Sequence, residues 1–111
     1  MSSLIVPDLD ACKPERNRLP NRRPAETIAF EHGGAAFTLT IGRYEDGRIG
    51  ELFIGAAHTN SALDVLASDA AIAISFALQH GADLAAIRAA MKRNSQGNAA
   101  SPIGEALDQI T

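Results

Sequence analysis

Seven large apolar residues, Ile28, Phe30, Phe37, Leu39, Ile41, Leu52 and Ile54, recur at alternate positions between polar or small ones. A period of two places all of them on one face of an extended chain. Gly33-Gly34 and Asp46-Gly47 divide the run, and both pairs suit hairpin turns that need positive φ. Two-residue turns there set Phe30 opposite Phe37, Ile28 opposite Leu39, Ile41 opposite Leu52 and Leu39 opposite Ile54. A slip of one residue in either hairpin would split the set between two faces, so the pattern predicts a three-stranded antiparallel meander. The opposite face carries Thr27, Ala29, Glu31, Thr38, Thr40 and Glu51, with Phe53 as its one large apolar member and a candidate contact point.

After Gly55 the period becomes helical. Ser61 followed three residues later by Asp64 reads as a capping pair, and Gly81 after His80 reads as a stop, giving a helix over about 61–80. Asp64, Ser68, Ser75 and Gln79 form one narrow polar stripe on it, while Leu63, Val65, Leu66, Ile72, Ile74, Phe76 and Leu78 occupy most of the remaining circumference. That distribution predicts a helix buried on nearly all sides. The sheet can cover one flank only, so the other calls for the later helices or a second copy, and a homodimer is expected. Asp83 caps a second helix expected to run through about Arg93, with Leu84, Ile87 and Met91 as its stripe. Ser101 and Pro102 open a short third helix with Ile103, Leu107 and Ile110. The fold class is therefore α+β in the order βββααα, with residues 25–111 as a single domain.

Residues 1–24 hold four of the five prolines and show neither period, so they read as an extended arm. The arm carries Lys13, Arg16, Arg18, Arg22 and Arg23 against Asp8, Asp10 and Glu15, whereas the body after residue 24 has five basic and ten acidic side chains. A net charge of −3 gives no overall basic field for nucleic acid, and the arm lacks aromatic residues for stacking on bases. Arg16, Arg18, Arg22 and Arg23 are candidates for contact with phosphates or an acidic partner; a solvated arm, able to dock on its own acidic body, is the favoured reading. The lone cysteine, Cys12, excludes an intrachain disulfide and fits a reducing, cytoplasmic setting. Neither a charged leader with a long apolar run nor a membrane-length apolar stretch stands out, and no membrane partner is expected.

The loop of His58, Thr59, Asn60 and Ser61 leads into the N-terminus of the long helix, where unpaired N–H groups favour an anion such as a nucleotide phosphate. Capping alone accounts for the same residue types. Asp69 lies beside Val65, Ile72 and Phe76 rather than on the polar stripe, which predicts a partly buried acid paired with an arginine of the arm or with Arg43. His32, His58 and His80 sit at separate element ends without metal-ligand spacing, so no metal site is expected.

Leu19-Pro20-Asn21-Arg22-Arg23, Glu26-Thr27, Gly47-Arg48-Ile49-Gly50-Glu51-Leu52-Phe53-Ile54 and Ala77-Leu78-Gln79-His80-Gly81 together resemble the TSCPD domain. This is the C-terminal module of adenosylcobalamin-dependent, class II ribonucleotide reductases, also found as free-standing bacterial proteins. The resemblance covers about residues 16–110, and Ser95-Gln96-Gly97 through Ala106-Leu107-Asp108 resembles the free-standing kind. It implies a link to reduction of ribonucleoside diphosphates, to thiol reductants and to adenosylcobalamin. The Thr-Ser-Cys-Pro-Asp motif that names the family is absent, as is a terminal cysteine pair, and 111 residues cannot hold a catalytic barrel. An accessory or binding role with a ribonucleotide reductase or a nucleotide is expected, with no catalysis and no cofactor for this chain alone. The alternative is an independent protein- or nucleic-acid-binding module using the basic arm.

Overall fold

The computed structural model describes residues 15–56 and 61–111. Strands β1 (Ala25–His32), β2 (Ala35–Arg43) and β3 (Ile49–Ala56) form one antiparallel sheet in the order β1-β2-β3. Helices α1 (Ala62–Gln79), α2 (Leu84–Ala90) and α3 (Pro102–Ile110) follow. All four expected pairings are present: Phe30 with Phe37, Ile28 with Leu39, Ile41 with Leu52 and Leu39 with Ile54. The shared face is the core. Leu39, Ile41 and Leu52 are fully buried, and the rings of Phe30 and Phe37 stack with centroids 5.5 Å apart.

The second hairpin reaches its register by a different route from the one expected. Its loop has three residues, Glu45 to Gly47, closed by Tyr44 N–H to the Arg48 carbonyl at 2.8 Å, with Gly47 at φ 94°. An irregularity then offsets the extra loop residue: Arg43 pairs with Ile49 but Gly42 with Glu51, leaving Gly50 without an opposite number. A three-residue turn ending in a left-handed glycine and a compensating bulge conserve the alternation that a two-residue turn would have given directly.

Helix α1 departs more deeply from expectation. Its buried side is made of Ala67, Ala71, Ile74 and Leu78 together with Ser75 and Gln79, so the polar stripe faces inward. The stripe meets the free edge of β3 residue by residue. Asp64 Oδ1 accepts from Ala56 N–H at 3.1 Å, and Ser68 Oγ donates to the Ile54 carbonyl at 3.0 Å. Ser75 Oγ accepts from Leu52 N–H at 2.8 Å, and Gln79 Nε2 donates to the Gly50 carbonyl at 2.9 Å. The spacings match: six residues of strand span about 20 Å and fifteen of helix about 22 Å, so alternate strand residues meet the helix at intervals of four, seven and four. An open strand edge is an aggregation hazard, and α1 closes this one with side chains.

The opposite face of α1 is exposed. Leu63, Val65, Leu66, Ile72 and Phe76 are between 44% and 67% exposed, which corrects the expectation of a helix buried on nearly all sides. By length and composition α1 is apolar enough to cross a membrane, a property the sequence reading had not assigned to any stretch. Its bonds to β3 make it the wall of a sheet-and-helix core instead.

Helix α2 ends at Ala90 rather than near Arg93. Met91 is extended, Ala100 N–H donates to the Lys92 carbonyl at 3.0 Å, and Arg93 bridges to Ala99, so the backbone groups that would have prolonged the helix close a small hairpin. Asn94 Oδ1 accepts from the N–H groups of Gln96 and Asn98 and holds its turn. Ser101 then caps α3 by accepting from Gly104 N–H at 3.0 Å, with Pro102 in the first turn as expected. Arg88 and Arg93 both grip Asp108 at 2.6–2.7 Å, tying α2 and the hairpin to α3. Those two guanidinium groups hold the Asp108 carboxyl well below the usual carboxylate range, Arg93 acting most strongly.

Candidate functional site

The arm from Glu15 to Pro24 is laid along the end of the sheet and the C-terminus of α1. Two glycines open the way for it. A Cβ at Gly50 would lie 2.5 Å from the Tyr44 ring and 2.9 Å from Leu19, so the bulge residue is the floor on which both side chains rest. A Cβ at Gly42 would fall 2.2 Å from Glu51 Oε2, because Glu51 lies flat across Gly42. Its carboxylate takes a two-pronged contact from Arg23, Nε at 2.5 Å and Nη2 at 3.2 Å, and the same guanidinium donates to the Pro20 carbonyl at 2.9 Å. Glu51 is 8% exposed although it belongs to the outer face of the sheet, since the arm covers it.

Gln79 is the second anchor and is 3% exposed. Its amide reaches the Gly50 carbonyl on one side and receives Arg16 Nε on the other, while Asn17 N–H donates to its backbone carbonyl at 2.7 Å. The Arg16 guanidinium also lies 4.3 Å from the centre of the Phe76 ring. Tyr44 donates its hydroxyl to the Asn17 carbonyl, and burial raises its pKa while the nearby Arg48, stacked at 4.7 Å on its ring, opposes the rise. The segment from Arg16 to Arg23 therefore acts as a clasp. Of the four arm arginines proposed to meet a partner, Arg16 and Arg23 bond to the body, while Arg18 and Arg22 are exposed.

Shallow cavities run beside the clasp. One of about 180 Å³ is bounded by Arg16, Arg18, Arg23, Glu51 and Gln79. Another of about 440 Å³ lies between the second hairpin and the α1–α2 turn, against Arg43, Arg48, Leu78 and Asp83. Arg43 is paired with Glu26 at 2.8 Å and Arg48 with Asp46 at 2.7 Å, so both cations there already have local partners. The larger volume is in the lower part of the range for small-molecule sites, about 300–1,000 Å³. Among the described residues, no nucleophile and base stand together around these two cavities.

Of the anion candidates at the start of α1, His58, Thr59 and Asn60 lie outside the described residues. Ser61 caps the helix, its Oγ accepting from Asp64 N–H at 3.0 Å. The Asp64 carboxylate in this first turn opposes a second negative charge there. Phe53 is 49% exposed on the outer sheet face opposite Thr40, as its place in the alternation required. Asp69 is exposed, correcting the expectation of a buried acid: its neighbours are the apolar ones predicted, and they are exposed with it. Arg43, one of its expected partners, is committed to Glu26, and Arg16 to Gln79. His32 approaches Glu105 at 3.8 Å, and among the described residues no three metal-ligating side chains converge.

Sequence reasoning missed the seam of Asp64, Ser68, Ser75 and Gln79 as a contact surface. The signal was present in its spacing, which matches a strand edge, but a polar stripe on a helix is ordinarily its wet side.

Residues 12–110 match the family model described as the TSCPD domain. Among curated proteins, the vitamin B12-dependent ribonucleotide reductase of Agrobacterium fabrum is 43% identical over 70 residues, 63% of this chain and 6% of that protein. The enzyme of the same name from Bradyrhizobium diazoefficiens is 40% identical over 70 residues, again 63% of this chain and 6% of the relative. That of Rhodopirellula baltica is 39% identical over 75 residues, 68% of this chain and 7% of the relative. The chain thus spans less than a tenth of the length of these relatives. No solved structure matches it.

Proposed function

The chain belongs to the TSCPD domain family, and from that premise we propose that it serves as an accessory binding module in ribonucleotide reduction, without catalysis of its own. The observation that supports this most is the match itself: about two-thirds of this chain corresponds to a small segment of proteins named vitamin B12-dependent ribonucleotide reductases. The site geometry agrees with a binding role. Arg18 and Arg22 remain exposed beside the clasp as cationic groups that an acidic partner could meet. A reductase is the partner this reading favours, with the cytoplasm as the compartment where the two would meet. The cobalamin requirement belongs to the longer relatives by name.

The test is to add the purified chain to a vitamin B12-dependent ribonucleotide reductase from which the corresponding segment has been deleted. Saturable binding by calorimetry and a change in deoxyribonucleotide output are expected. Absence of binding at micromolar concentrations of both proteins, with unchanged turnover, contradicts the proposal.

A further inference from the structure

The outer face of α1 is the largest feature of the molecule that the clasp and the accessory role leave unused. Ala62, Val65, Leu66, Asp69, Ile72, Ala73 and Phe76 repeat at intervals of three and four and are all exposed, so they form a straight stripe along the helix. With Leu63 at its margin, the five large side chains expose on the order of 500 Å² per copy, the size of the largest apolar patch on a typical monomer and one that is often functional. Small residues at Ala62 and Ala73 let another helix approach closely.

We propose that this face is the contact surface for a second copy of the chain, with the two α1 helices packed antiparallel about a two-fold axis near Ala70. Three features favour a second copy over other occupants. The three-four spacing suits a helix of the same kind, since matching stripes interdigitate along their whole length. Two such faces together cover on the order of 1,000 Å², the lower bound for a specific interface and the size of a weak, reversible one. The charges are also complementary to themselves. Asp69 is the single carboxylate in the stripe, and Arg16 lies over Phe76 at one end of it. Helix side chains lean toward the N-terminus, so an antiparallel crossing near Ala70 sets Val65 against Phe76 of the second copy and brings Asp69 within reach of the second copy's Arg16. A two-fold axis repeats each contact, which makes one complementary pair into two. The clasp thereby gains a further consequence: by fixing Arg16 on Gln79 it holds the guanidinium at the rim of the stripe.

The experiment is sedimentation equilibrium of the full chain up to about 100 µM, with Ile72→Glu, Asp69→Arg and the charge-exchanged pair Asp69→Arg with Arg16→Asp. A dimer mass is expected for the parent. Ile72→Glu and Asp69→Arg should each weaken association at least about tenfold, with far-UV dichroism unchanged because both positions are exposed, and the exchanged pair should recover part of the loss relative to Asp69→Arg. A parent that stays monomeric throughout overturns the proposal. So does a dimer indifferent to both single variants, or a monomer that instead binds phosphatidylcholine vesicles through Ile72 and Phe76.

Discussion

Two faces of α1 run the full length of the same helix and divide their residues in the reverse of the usual way. The face against the sheet presents Asp64, Ser68, Ser75 and Gln79 among alanines, with Ile74 and Leu78 as its larger apolar members. The face away from the sheet presents Leu63, Val65, Leu66, Ile72 and Phe76, nearly half or more exposed. The difference follows from what each meets. A face against an unpaired strand edge must answer backbone N–H and C=O groups, and buried backbone groups without partners cost about 1–3 kcal/mol each. The outer face has no such demand, so nothing in the fold requires it to be polar, and its apolar content is available for association.

The comparison can be broken most severely at the bulge where seam and clasp meet. Gly50→Val would drive a branched side chain into Tyr44 and Leu19, and a loss of about 3 kcal/mol in urea unfolding is expected, with the arm released. Within the seam, Ser75→Ala should cost about 1–3 kcal/mol, because Leu52 loses a side-chain partner at the buried edge. Away from both faces, the Asp108 clamp gives a control with a defined pH dependence. Its pKa is lowered in the folded chain, so the stability it contributes is fully present above the unfolded carboxylate value of about 4 and is lost only as the pH falls toward the lower folded value. Asp108→Asn should cost roughly 1 kcal/mol at pH 7 after allowance for solvent screening, and parent and variant should converge only in strong acid, as followed by denaturation across a pH series. The smallest effect belongs to the outer face. Ile72→Ser, measured in dilute solution where the chain is monomeric, should change unfolding stability by no more than about 0.5 kcal/mol. A loss there comparable to that of Ser75→Ala would erase the distinction between the two faces.

Much of this architecture was legible in the sequence, and the parts that were not share a cause. The meander was readable because Phe30, Phe37, Leu39, Ile41, Leu52 and Ile54 must all face one way, a condition that survives even an unexpected bulge at Gly50. Caps at Ser61, Asp83 and Ser101 were readable because a short polar side chain before a helix has one local use. The direction of α1 was not readable. Its polar stripe and apolar face specify a rotation only once the open edge of β3 is known to lie beside it, and that is a tertiary fact. The same reason hid the early end of α2, which depends on Ala99 and Ala100 folding back on Arg93 and Lys92. Of the candidate site, charge alone allowed the basic arm either to stay solvated or to dock on the acidic body, and did not decide between them. The arm's particular partners, Glu51 and Gln79, were not legible either, because their exposure depends on Gly42 and Gly50 leaving space above the strand.

The inward-facing seam is tested most directly by amide hydrogen exchange at Leu52. As a residue whose N–H points off the free edge of the sheet, Leu52 should nonetheless exchange as slowly as the ladder amides of β2, because Ser75 Oγ holds it at 2.8 Å. In Ser75→Ala it should speed up by at least about tenfold relative to those ladder amides, the equivalent of one lost bond of about 1.4 kcal/mol. Fast exchange of Leu52 already in the parent chain would contradict the account.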